Sequence, residues 1–176
     1  MICFRKVSFT QFRQDCLKRM SAEEILAAAA DQDIETALMK MYASIEMPQR
    51  STLQSAGYDI RTPFTFTMEP GGTQIVPTGL RALMEPDMWL GLYIRSSLGF
   101  KYQVRLLNSV AVIDADYAGA ENEGHLMVGL YNGGPKAYTI TAGEAFAQGI
   151  FQRYLVTDDD RPKNQIRSGG FGSTNR

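Results

Sequence analysis

From Pro48 onward, apolar residues fall in short runs or alternate with polar ones, as in TQIVPTGLRALM, WLGLYI, VAVI, HLMVGLYN, AYTIT and FAQGIFQRYLV. Turn-forming groups separate these runs: Glu69-Pro70-Gly71-Gly72, Glu85-Pro86-Asp87, Asn132-Gly133-Gly134-Pro135 and Ala142-Gly143-Glu144. Runs of this length, broken at this interval by glycine and proline, predict six or more short strands and an all-β barrel or sandwich.

The first fifty residues follow a different period. Ser8 with Gln11 forms a capping-box pattern, after which Phe9, Phe12, Cys16, Leu17 and Met20 recur at helical spacing. Ser21 with Glu24 repeats the cap signal ahead of EEILAAAADQDIETALMKMY, where alanine and the apolar Ile34, Ala37, Leu38 and Met41 favour a second helix. Two helices are expected before about residue 43. Beyond Val156 the chain turns polar (TDDDRPKNQIR) and then glycine-rich (SGGFGSTNR), with too little apolar surface to order itself. The expected organisation is a helical extension over 1–45, a β domain over 46–157 and a flexible tail over 158–176.

A chain of 176 residues with 44% hydrophobic content suits one compact domain with a short appendage. Its net charge of −1 supplies no field to draw it onto nucleic acid or an anionic membrane, so any phosphate must be held locally. The two cysteines, Cys3 and Cys16, are too few for a disulfide scaffold and wrongly spaced for zinc. They read as free thiols in a reducing cytoplasm. Neither an apolar run of about 18 residues nor a signal-peptide pattern is visible, and the expected location is cytoplasmic.

Five short segments carry candidate chemistry. Ala56-Gly57-Tyr58-Asp59-Ile60 reads as a turn entering a strand. In Arg95-Ser96-Ser97-Leu98-Gly99, a guanidinium, two hydroxyls and successive backbone N–H groups at a strand end suit phosphate oxygens. Val112-Ile113-Asp114-Ala115-Asp116-Tyr117 sets carboxylates directly after an apolar strand, where one can face a cleft or both can form an acidic turn. Ala147-Gln148-Gly149-Ile150-Phe151 resembles a strand with one inward glutamine, and Gly169-Gly170-Phe171-Gly172-Ser173-Thr174 a free end.

In their order and span, these five segments resemble the ordered motifs of the trimeric dUTP pyrophosphatase family over about residues 44–176. The stretch NSVAVIDADYAGAENEGHLMVGLYN is most similar to the Gram-positive and phage branch. The resemblance implies a jelly-roll or distorted β-barrel fold and a homotrimer with active sites shared between subunits. It further implies hydrolysis of dUTP to dUMP and pyrophosphate with Mg²⁺ as cofactor. By that resemblance Asp114 orients or activates the water that attacks the α-phosphorus. Arg95, Ser96 and Ser97 hold phosphate oxygens, and Gln148 contacts phosphate or a bridging water. Asn108 and the backbone at Val112 and Ile113 read the uracil edge, Met127 adds a further uracil-pocket contact, and Tyr117 packs under the deoxyribose. Asp59 meets Mg²⁺ through water. In the tail, Arg167 meets the γ-phosphate, Phe171 stacks on uracil, and Gly172, Ser173 and Thr174 close over the phosphates.

Two positions depart from the family pattern near the site. Ala111 replaces a usual glycine, and Ala145 with Phe146 replaces an arginine and an isoleucine. The nearest rival is a dCTP deaminase, but its catalytic glutamate would fall at Gly129. A regulatory, repressor-gripping relative is the rival from another class, with the N-terminal helices as its docking surface. His125, the single histidine, has no second His or Cys nearby and is expected to hydrogen-bond locally in an inserted turn.

Overall fold

The computed structural model describes residues 1–162. The β expectation holds for most of the chain, but helices take a larger share than an all-β domain would have. Among the described residues there are twelve strands and four α-helices.

The widest sheet runs in the order β2 (Gln49–Arg50), β3 (Tyr58–Arg61), β12 (Ala145–Arg153), β7 (Met88–Ile94) and β9 (Ala111–Asp114). Each neighbouring pair in it is antiparallel. A second sheet places β10 (Met127–Asn132) between β5 (Thr73–Pro77) and β8 (Val104–Leu106). Two smaller pairs join β11 (Tyr138–Ile140) to β4 (Phe66–Met68), and β1 (Cys3–Lys6) to β6 (Leu80–Leu83). None of these sheets closes on itself among the described residues.

The N-terminal region differs from its sequence pattern in two ways. It starts with β1, which the four residues CFRK did not announce, and it contains three helices: α1 (Phe9–Arg19), α2 (Ala22–Ala29) and α3 (Ile34–Ala43). The expected second helix is split at Ala30, which takes a left-handed conformation (φ 49°), and Asp33 then caps α3 by accepting the Thr36 N–H. A side-chain oxygen that offers the backbone a fresh start outweighs the helix propensity of the alanine run. Ser21 and Glu24 form the reciprocal capping box as expected. Ser8 caps α1, but the Gln11 side chain turns away to Asp15.

The apolar faces of these helices enter the main core. Phe12, Cys16, Ile25, Leu38 and Met41 are buried in one cluster with Ile60, Leu80, Leu90, Leu92, Leu126 and Phe146. Burying a side chain of this size contributes about 1.5–3 kcal/mol. Helices of eight to eleven residues are marginal alone, so this packing is what holds them. No helix among the described residues is long and apolar enough to cross a membrane.

Candidate active site

Strand β7 organises the candidate residues: Arg95, Gln148 and Asp59 lie toward its C-terminal end, Asp114 is level with its start, Val112 and Ile113 pair with its middle, and the Asn108 turn precedes β9 on the side of Leu92. At the C-terminal end, register sets Gln148 of β12 opposite both Asp59 of β3 and Tyr93 of β7. Arg95, just past β7, places a guanidinium nitrogen 2.5 Å from Asp59 Oδ2, and the Ser51 hydroxyl donates to the same oxygen at 2.7 Å. Both contacts fall on Asp59 Oδ2, and the Asp59 side chain is 14% exposed. Gly57 lies against Gln148: an added Cβ would come within 2.3 Å of Gln148 Oε1, so a larger residue here would displace the glutamine amide. Ser96 and Ser97 are exposed and open a short helix, α4 (Ser96–Tyr102), which the sequence pattern had presented as a strand-end turn. Ser51 was not singled out in the sequence; its place beside strand-forming Gln49-Arg50 is the only signal that pointed to it.

The opposite end carries Asp114. Here β9 pairs with β7 so that Asp114 faces Trp89 and Ala111 faces Leu92. Asn108, Val112 and Asp114 are exposed and Ile113 is half-buried. Before β9, the Val110 N–H donates to the Asn108 carbonyl at 2.6 Å around Ser109, whose φ is 60°. This tight three-residue turn is a strained form, of the kind that costs of order 1–3 kcal/mol. The left-handed residue of the hairpin is thus Ser109, and Ala111 has no positive φ that would demand glycine. After β9, a 3-10 helix (Ala115–Gly119) carries Tyr117, which is buried. Met127 is buried at the start of β10, in a different sheet from Val112 and Asp114.

The two groups are not brought together within one chain. Asp114 is level with Trp89, and Arg95 follows six residues later; at about 3.3 Å per residue that separates the two by roughly 20 Å along β7. Arg167, Phe171, Gly172, Ser173 and Thr174 lie outside the described residues.

His125 corrects one expectation. It is fully buried, and its contacts are long-range as well as local. Its Nε2 accepts the Gly79 N–H at 2.8 Å, which places the ring proton on Nδ1, and Nδ1 lies 2.7 Å from Asp15 Oδ2 in α1. Gln11 donates to the same Asp15 oxygen at 2.7 Å. Burial raises the Asp15 pKa, yet the hydrogen bonds from His125 and Gln11 outweigh it and hold the carboxyl below its ordinary value. Asp15 was missed in the sequence because it is 110 residues from its partner. Burial pushes the neighbouring Cys16 thiol up to about 12. Among the described residues, no three His, Cys, Asp or Glu side chains converge as a metal-ligand set.

Comparison with known proteins identifies the family and the fold. A family model described as dUTPase matches residues 43–175. The deoxyuridine 5'-triphosphate nucleotidohydrolase of Lactococcus lactis subsp. lactis (strain IL1403) is 43% identical over 134 residues, covering 75% of this chain and 89% of the relative. A crystal structure of a dUTPase from Streptococcus mutans superposes with a TM-score of 0.60 at 36% identity, covering 65% of this chain and 90% of that one. The dUTPase from phage phi11 of S. aureus shares the fold, with a TM-score of 0.58 at 19% identity, covering 69% and 92%. The chain belongs to the dUTPase family, and its mostly β architecture is the dUTPase fold.

Proposed function

We propose that this protein hydrolyses dUTP to dUMP and pyrophosphate. The observation that carries the reading is that all four motifs within the described region lie along or beside strand β7 in one sheet, in a chain of this family. Water attacks the α-phosphorus in line, the bond from that phosphorus to the β-bridging oxygen breaks, and pyrophosphate leaves. The water's proton passes to Asp114 or on to solvent. A carboxylate is a weak base, so its contribution is chiefly to hold the water in the attacking position. Arg95, Ser96 and Ser97 neutralise charge on the phosphates, and Gln148 sits in the same row. Asn108 with the backbone of Val112 and Ile113 reads the uracil edge, with Met127 lining the pocket behind it. Tyr117 fills the space that a ribose 2′-hydroxyl would need.

The roughly 20 Å between Asp114 and Arg95 supports a site completed by another copy of the chain, as in a homotrimer of jelly-roll subunits. Exposed apolar side chains are in keeping with such assembly: Phe100 is 92% exposed, Val112 57% and Leu155 97%. Mg²⁺ suits the donor set, because a hard cation that keeps its water and binds phosphate needs no protein cage. Asp59 would hold it through water, using the oxygen opposite its contacts with Arg95 and Ser51. When bound, the ion screens the charge of the triphosphate. The tail residues Arg167, Phe171, Gly172, Ser173 and Thr174 would close the site over the substrate in a cytoplasmic enzyme.

Pyrophosphate release from dUTP, dCTP, dTTP and UTP with Mg²⁺ tests the reading. Release from dUTP alone is expected, and release from none of the four would overturn it. Deamination of dCTP is disfavoured by Gly129, whose position has no side chain to shuttle a proton.

A further inference from the structure

The segment after Tyr117 is tied to the N-terminal helix at two points. Ser8, the N-cap of α1, donates its backbone N–H to Glu123 Oε2 at 2.7 Å and its hydroxyl to Oε1 at 2.5 Å. Glu123 thereby takes the role that Gln11 would have in a capping box, but from 115 residues away. The second tie is the buried pair of Asp15 and His125, with Gln11 orienting the carboxylate and the Gly79 N–H orienting the ring.

Both ties lead to one side chain. The Tyr117 hydroxyl donates to the backbone carbonyl of His125 at 3.0 Å and accepts from Asn122 Nδ2 at 2.7 Å. Between them, Gly124 has a φ of +69°, and a Cβ there would come within 2.7 Å of the Tyr117 carbonyl, so the segment folds tightly back over the 3-10 helix. Where His125 sits therefore decides where the Tyr117 ring sits.

We propose that Asp15 and His125 are positioning residues for substrate selection: through them, helix α1 fixes the Tyr117 ring and so sets how strictly ribonucleotides are excluded. This rests on the reading of Tyr117 as the residue under the deoxyribose. Exclusion of one hydroxyl is a steric test that tolerates little displacement, and α1 supplies stiffness that a surface turn lacks.

The test compares kcat/KM for dUTP and UTP across variants of the full chain. Asp15→Ala is expected to lower the dUTP-to-UTP ratio by roughly tenfold, the scale of discrimination that a methylene-sized change in a pocket provides. Asp15→Asn is expected to restore the ratio, since a single amide oxygen can still accept from both His125 and Gln11. Adding Tyr117→Phe to Asp15→Ala should give little more loss than Tyr117→Phe alone, because both act through one hydroxyl. Glu123→Ala, at a half-buried site outside the core, should lower the ratio in the same direction by less, and it covers the case in which Asp15→Ala fails to fold. A merely structural role would reduce thermal stability while leaving every ratio unchanged, and that outcome overturns the proposal.

The ring itself gives a second readout. The Tyr117 signal in ¹³C-tyrosine spectra is identified by its loss in Tyr117→Phe, and it should shift in Asp15→Ala or Glu123→Ala. An unmoved signal overturns the proposal while leaving dUTP hydrolysis by the parent protein intact. A parent protein that hydrolyses no dUTP overturns the functional reading, and the selectivity role falls with it even if the signal moves.

Discussion

At one end of β7, Asp59, Arg95 and Gln148 meet through strand register and one ion pair, all within the widest sheet. At the other, Asp114 ends β9 in the same sheet, and Tyr117 follows on a 3-10 helix hydrogen-bonded to a segment that reaches residue 125 and contacts the N-terminal helix. The first arrangement follows from pairing that the sheet enforces anyway. The placement of Tyr117 depends in addition on contacts more than a hundred residues apart in sequence, one at the surface and one buried. Excluding a single sugar hydroxyl needs a surface fixed to a fraction of an ångström.

The sharpest way to separate the ends is to remove chemistry from one of them. Asp114→Asn should lower kcat by about 10²–10⁴-fold, the usual contribution of a positioned acid–base group, with little change in nucleotide affinity by calorimetry. Mixing the two ends tests whether they belong to different chains of one site. Asp114→Asn and Arg95→Ala are expected to be nearly inactive separately, yet coexpression should regenerate roughly a quarter of the sites, since random mixing pairs two intact ends with that frequency. Absence of recovery in mixed oligomers would place both ends of a site in one chain.

Weaker effects probe the long-range end. Asp15→Ala leaves the Nδ1–H of a fully buried histidine without its acceptor and should cost about 1–3 kcal/mol in urea denaturation. Ser51→Ala, on an exposed residue at the register-built end, should cost less than 1 kcal/mol. The Asp15 carboxyl also gives a sign for pH. Its folded-state pKa lies below the ordinary value of about 3.9, so its contribution is complete above that value and lost as pH falls through the lower, folded one. The stability difference between the parent and Asp15→Asn should be constant near neutrality and narrow only in that acid window. Last, Cys16, with its thiol raised to about 12, should resist alkylation in the native protein while the partly exposed Cys3 reacts. Mass spectrometry of labelled peptides distinguishes them.

The strands from Pro48 onward were legible in the sequence, because period-two alternation and turn residues act locally, whereas the motif residues stood out only through their resemblance to a known family. What was not legible depended on distant partners. Strand β1 has a single buried residue, Phe4, and exists because β6 is there to pair with it. The break at Ala30 runs against propensity and is decided by Asp33 and by packing. Gln11 matched a capping box, yet its amide was drawn to Asp15, and the cap was completed by Glu123. His125 looked solitary among its sequence neighbours for the same reason.

The span between Asp15 and His125 also sets an order of events during synthesis. Helix α1 is made well before residue 125, and until that residue has followed, 110 positions later, its buried carboxylate has only Gln11 of the same helix as a partner. At translation rates of about 5–20 residues per second, that is an interval of roughly 5–20 seconds. Through that interval the core around Phe12 and Cys16 is incomplete, so the nascent chain is more open to chaperone binding and thiol oxidation than the folded protein.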